Sequence, residues 1–114
     1  MESLPKVDID EGTFKYVLVK LKSKDSSDEM TIVRGYKWAS YHGDIVDKLE
    51  EQLGKMRIEC DCVGGGRITH DKSEQYIKVY GYSQGYGKAD HKMTCELLKQ
   101  NYPTYKIEWT DDGY

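Results

Sequence analysis

The stretch MTIVRGYKWASYHGDIVDKLEEQLGKM (residues 30–56) changes its hydrophobic period halfway along, and that change decides the fold. MTIVRGY (30–36), with β-branched Thr31, Ile32 and Val33, reads as a strand that stops at Gly35. From Ser40 onward Ile45, Val46, Leu49, Leu53 and Met56 fall at helical spacing. Asp44, Asp47, Lys48, Glu50, Glu51 and Gln52 make the polar face. Ser40 is the expected N-cap, Asp44 suits the positive end of the helix, and Gly54 marks the stop. His42 therefore falls at the first or second helical position.

Working outward, TFKYVLVKLKS (13–23) alternates Phe14, Tyr16 and Leu18 against Lys15, Val17, Val19 and Leu21. It reads as a strand whose middle is buried on both faces. The polar KDSSDE (24–29) is a turn, so this strand and 30–36 form an antiparallel pair. Beyond the helix, RIECDCVGGGRITHD (57–71) reads as two strands around a Gly-rich break, and QYIKVYGYS (75–83) as another strand. KADHKMTCELLKQNYP (88–103) is a second helix with Met93, Leu97 and Leu98 inward, and YKIEWTDDGY (105–114) closes with a strand. Residues 1–12 are polar and read as a loosely held arm. The expected class is α/β in the broad sense (α+β): one domain over 1–114, a mixed sheet of about six strands and two flanking helices.

The chain has 114 residues, enough for one core-bearing domain, and a net charge of -3. That charge gives no general attraction to nucleic acid or to an anionic membrane. No apolar run is long enough to span a bilayer, and MESLPKVDIDEG lacks the pattern of a secretion signal. Three cysteines without such a signal argue free thiols and a cytosolic protein. Ten tyrosines against one phenylalanine is the odd feature of the composition, compatible with a tyrosine-lined cleft.

Several motifs carry chemistry only in other contexts. DIDEGT (8–13) resembles an aspartyl-phosphate box but lacks the buried strand that would present it. Cys60-x-Cys62 has no second Cys/His pair at metal spacing, so core cysteines are expected and no metal. GGGR (64–67) lacks the ending of a P-loop; it is either a hairpin or a close approach of backbone to ligand with Arg67 beside it. YGYSQGYG (80–87) is either an ordinary connection or a nest of N–H groups around a phosphate, with Ser83 adding a hydroxyl. His42 is either an exposed helix-start residue or a base kept neutral by the positive end of the helix. His70 is expected in a polar turn and His91 as a structural or surface residue.

Together FKYVLVKL, IVRGYKWASYHGDIVDK, CDCVGGGRITH, VYGYSQGYG, YPTYKIEW and the terminal DDGY resemble the small phosphohistidine phosphatases of the Janus/Ocnus family, in order and over nearly the whole chain. The resemblance implies a mixed six-stranded sheet with two helices. It implies a cofactor-free, metal-independent monomer acting on phosphohistidine-containing proteins, while the cytoplasmic location and the lack of a nucleic acid or membrane partner are the expectations from charge and cysteines above. It makes His42 the catalytic residue, as base or nucleophile, and Lys15 a phosphate ligand. Ser83, Gln84 and Gly85 become the phosphate loop, with Arg67 and Arg34 as electrostatic helpers. Gln84-Gly85 departs from the Met-Ala usual in vertebrate members. The rival expectation is a non-catalytic module that binds a phosphorylated partner.

Overall fold

A computed structural model describes residue 1 and residues 3–112; Gly113 and Tyr114 of the closing motif lie outside the described residues. The elements are β1 (Val7–Ile9), β2 (Gly12–Ser23), β3 (Glu29–Tyr36), α1 (His42–Gly54), β4 (Ile58–Asp71), β5 (Tyr76–Tyr80), α2 (His91–Asn101) and β6 (Lys106–Trp109). They form one six-stranded sheet in the order β1-β3-β2-β4-β5-β6. The two outer pairs, β1 with β3 and β5 with β6, are parallel, and the inner pairs are antiparallel. The expected class and element count hold.

Each face of the sheet carries its own core under one helix. Phe14, Tyr16 and Leu18 of β2 pack with Ile68, Ile77, Val79 and with Cys95 and Leu98 of α2. Val17, Val19 and Leu21 pack on the other side with Ile45, Val46, Leu49 and Leu53 of α1. This is the double burial read from β2's alternation, and it explains why both parities of that strand are apolar. Cys60 and Cys62 pack half-buried against the α1 core, as expected of core thiols.

Four expectations are corrected. The loosely held arm over 1–12 contains β1, in register with Val33–Gly35 of β3 and with Val7 buried. The N-cap of α1 is Tyr41 rather than Ser40, because Asp44 accepts the Tyr41 N–H at 2.9 Å and so closes the first turn one residue later. Met56 and Met93, placed on apolar helix faces by spacing, are exposed, since α1 ends before the first and Thr94 and Cys95 take the inward positions of α2. His70 is buried in β4 rather than in a turn; its ring nitrogens bond the Asp10 carbonyl at 2.8 Å and the Tyr105 hydroxyl at 3.0 Å.

The Gly-rich break is also absent, because β4 runs unbroken through Gly64-Gly65-Gly66. The irregularity there is a bulge. Leu18 pairs with Gly64 and Val19 with Cys62, leaving Val63 without a partner in the register. One extra residue switches the parity of the strand, so Cys60 and Cys62 before it and Gly65 and Arg67 after it all face α1. Gly64 adopts φ 145°, a conformation that favours glycine.

Candidate active site

His42 is the first residue of α1, set by the extended backbone of Tyr41 and the Asp44 bond. Its ring lies back over β4, where a side chain would obstruct it. A Cβ on Gly65 would stand 2.7 Å from His42 Cδ2 and 2.8 Å from the Tyr16 carbonyl. The His42 Nε2–H donates to the Gly66 carbonyl at 2.9 Å. A carbonyl only accepts, so in the neutral ring the proton sits on Nε2 and Nδ1 carries the lone pair. Burial pushes the imidazole below its ordinary pKa. The Gly66 carbonyl opposes that shift, while the charges of Lys15 and Arg67 add to it. His42 is thus neutral at pH 7, for reasons of desolvation and neighbouring cations.

Lys15 pairs with Tyr36 on one side and with Arg67 on the other. It precedes Val17 on the face covered by α1, so it shares the His42 cleft. That cleft, about 670 Å³, is bordered by Lys15, Ser40–Gly43 and the loop Tyr82–Tyr86. No carboxylate lies among these lining residues, and the positive end of α1 opens onto the same space.

The loop after β5 is closed by a tight bridge. Ser83 N–H donates to the Gly87 carbonyl at 3.1 Å, and Gly87 N–H returns to the Ser83 carbonyl at 2.8 Å. Tyr86 N–H donates to Ser83 Oγ at 3.1 Å. The loop is stitched to the strand beneath His42, since Gly65 N–H donates to the Gly87 carbonyl at 3.0 Å and Ala89 N–H to the Gly65 carbonyl at 3.0 Å. This pins the loop and the histidine to the same glycine. The nest expected over Ser83–Gly85 is therefore narrower than read. The Ser83 amide is committed to Gly87, and Ser83, Gln84 and Gly85 all border the cleft.

The structure brings His42, Lys15, Ser83, Gln84 and Gly85 around one cavity, with Arg67 close enough for its charge to act on His42. It does not bring Arg34. That guanidinium is buried near β1, donating to the Pro5 carbonyl at 2.7 Å and the Val33 carbonyl at 2.9 Å, and it borders a different cavity with Asp8, Tyr36 and Trp38. One residue bearing on the site was missed. His91 starts α2 as His42 starts α1, and its ring lies on the opposite face of the glycine run, 2.7 Å from where a Gly66 Cβ would stand. Its Nε2–H donates to the Gly81 carbonyl at 2.8 Å and its Nδ1 accepts from the Tyr16 hydroxyl at 2.7 Å, anchoring the entry to the loop. The available signal was two histidines, each at the start of a helix, flanking one run of three glycines.

Among the described residues no cluster of three or more His, Cys, Asp or Glu is arranged to hold a metal ion, and no helix is long and apolar enough to cross a membrane. The arrangement suits a phosphoryl dianion: a cation, backbone donors and a neutral basic nitrogen meet in one cleft. The Janus/Ocnus family matches residues 1–106 of the chain. A pig protein named 14 kDa phosphohistidine phosphatase is 47% identical over 100% of this chain and 95% of its own length. Its human counterpart is 47% identical over 97% of this chain and 94% of its own. The sex-regulated protein janus-A of Drosophila yakuba is 46% identical over 91% of this chain and 76% of its own length.

Proposed function

The chain belongs to the Janus/Ocnus family, and from that premise we propose that it is a phosphohistidine phosphatase whose reacting group is His42 Nδ1. The observation that carries the assignment of His42 is the bond from Nε2 to the Gly66 carbonyl, which fixes the tautomer and leaves a basic nitrogen at the cleft. Lys15, the Ser83 hydroxyl and the amides of Gln84 and Gly85 hold the phosphoryl oxygens. Arg67 adds charge nearby, and Arg34 serves the fold instead.

In the reaction, Nδ1 takes a proton from a water placed in line with the phosphorus–nitrogen bond. The water oxygen bonds to phosphorus as the imidazole, protonated from solvent on its other nitrogen, departs with the bonding pair as a neutral ring; His42 then gives its proton to solvent, leaving inorganic phosphate and free histidine. Positioning and charge stabilisation suffice, because the scissile bond is already reactive. Direct attack by the same lone pair is the competing step, and trapping of a phosphorylated enzyme separates the two.

The proposal extends to a metal-free reaction of a cytosolic monomer on phosphohistidine-containing proteins. The donor set around the cleft supports the metal-free reading, and the three free thiols support the cytosolic one. The test is release of inorganic phosphate from a phosphohistidine-bearing protein in excess chelator, where sustained turnover is expected. Binding without release would make the chain a phosphate-reading module, and recovery only on adding metal would end the metal-free account.

A further inference from the structure

The mouth of the cleft holds exposed rings that neither core accounts for. Tyr41 is 73% exposed although its backbone is fixed as the N-cap of α1 by Asp44. Tyr86 is 39% exposed, with its amide held by Ser83 Oγ. The Tyr86 hydroxyl lies over Gly43, 3.9 Å from where a Cβ would stand, so the ring reaches from the loop toward the helix start. Both side chains border the His42 cleft, and both are anchored at the backbone.

In-line displacement puts the departing nitrogen on the side of phosphorus opposite the attacking atom. Attack is directed from His42, which is buried at the floor, so the leaving group must lie outward, where these tyrosines stand. The leaving group is a planar ring that carries positive charge while it is protonated on its other nitrogen and still bonded to phosphorus. An aromatic face favours both properties through ring contact and its negative quadrupole. No carboxylate lines the cleft itself, so the rings are the lining groups that can face that charge, with Asp47 and Glu50 near enough to act on Tyr86 from behind.

We propose that Tyr41 and Tyr86 form an aromatic clamp for the leaving imidazole, making the enzyme selective for ring-bearing phosphoramidates over ringless ones. The inference rests on the phosphatase reading above and adds the specificity-determining residues to it. The clamp acts on the ring, whereas Lys15, His42 and the loop act on the phosphoryl group common to every such substrate.

The test compares kcat/KM for a phosphohistidine peptide with kcat/KM for phosphoramidate, which has the same bond and no ring. Tyr41→Ala and Tyr86→Ala should each lower the ratio of the two about threefold to tenfold, and the corresponding Tyr→Phe variants should keep it. A merely structural defect would depress both substrates together and leave the ratio where it was. A ratio unmoved by both Ala variants, in a protein that cleaves both substrates, overturns the clamp and leaves the phosphatase standing. Wild-type protein that cleaves neither substrate overturns the phosphatase reading and the clamp with it.

Discussion

His42 is held in one tautomer by a single backbone carbonyl, and its basicity is set by what surrounds it. Burial is the main cause of its lowered pKa, and Lys15 contributes through its charge. Turnover needs the free base, so activity should fall on the acid side with a midpoint below the ordinary histidine value of about 6.5. Lys15→Ala removes a cation, which makes the imidazolium easier to form and raises the His42 pKa. Its pH–rate profile should therefore show weaker turnover and an acid limb moved to higher pH; a limb that stays put or moves lower contradicts the coupling. Lys15→Arg should restore the limb and only part of the rate, because a guanidinium keeps the charge with a different shape and reach. His42 is itself no bland surface residue: it is buried and bonded to Gly66. His42→Ala would therefore remove a donor from a buried carbonyl as well as the basic nitrogen, and a variant that keeps the donor is the cleaner probe.

At the level of elements, the glycines of β4 and of the loop divide by what surrounds them. Gly65→Ala would drive a methyl group into the His42 ring and the Tyr16 carbonyl, costing roughly 1–3 kcal/mol by overpacking. Thermal unfolding and phosphate release should both suffer. Gly85 has open space around it and no left-handed backbone, so Gly85→Ala should raise stability by about 0.4–1 kcal/mol by restricting the unfolded chain. Gly87, at φ 84°, should lose roughly 1–2 kcal/mol on the same change. Equal melting shifts for Gly85→Ala and Gly87→Ala would contradict this division. The two helices, β2 and the pair β2–β3 were legible in the sequence because their apolar periods are long and regular. The run Val63–Gly66 was not: a bulge leaves the ladder continuous while glycines locally imitate a turn, and only the partner strand reveals the extra residue. Lys15 could be given a face from alternation, but which helix covers that face is a tertiary fact. Arg34 failed as a site residue for the same reason, since nothing local says that its guanidinium closes on the Pro5 carbonyl.

Across the whole molecule, the sheet is sandwiched at its centre by two histidines that begin the two helices, and burial lowers the pKa of both. Above about pH 6.5 both states of the chain hold them neutral, so they impose no pH dependence there. Below it the unfolded chain takes up protons that the folded one resists, so stability falls with pH until the folded-state pKa values are passed. Melting temperature should be level near neutrality and decline from about pH 6.5 downward, with a smaller decline when His91 is replaced by Gln; a rise on acidification contradicts the sign. The His42 cleft lies on one face of the β4 glycines and His91 braces the other, so the site and the fold share that junction. The most direct measurement is phosphate release from phosphohistidine by His42→Gln beside the wild type, with thermal unfolding of both. Glutamine can still donate to the Gly66 carbonyl but has no basic nitrogen. The account predicts a folded variant with turnover reduced roughly 100- to 10,000-fold; a folded variant that releases phosphate at near the wild-type rate would contradict it.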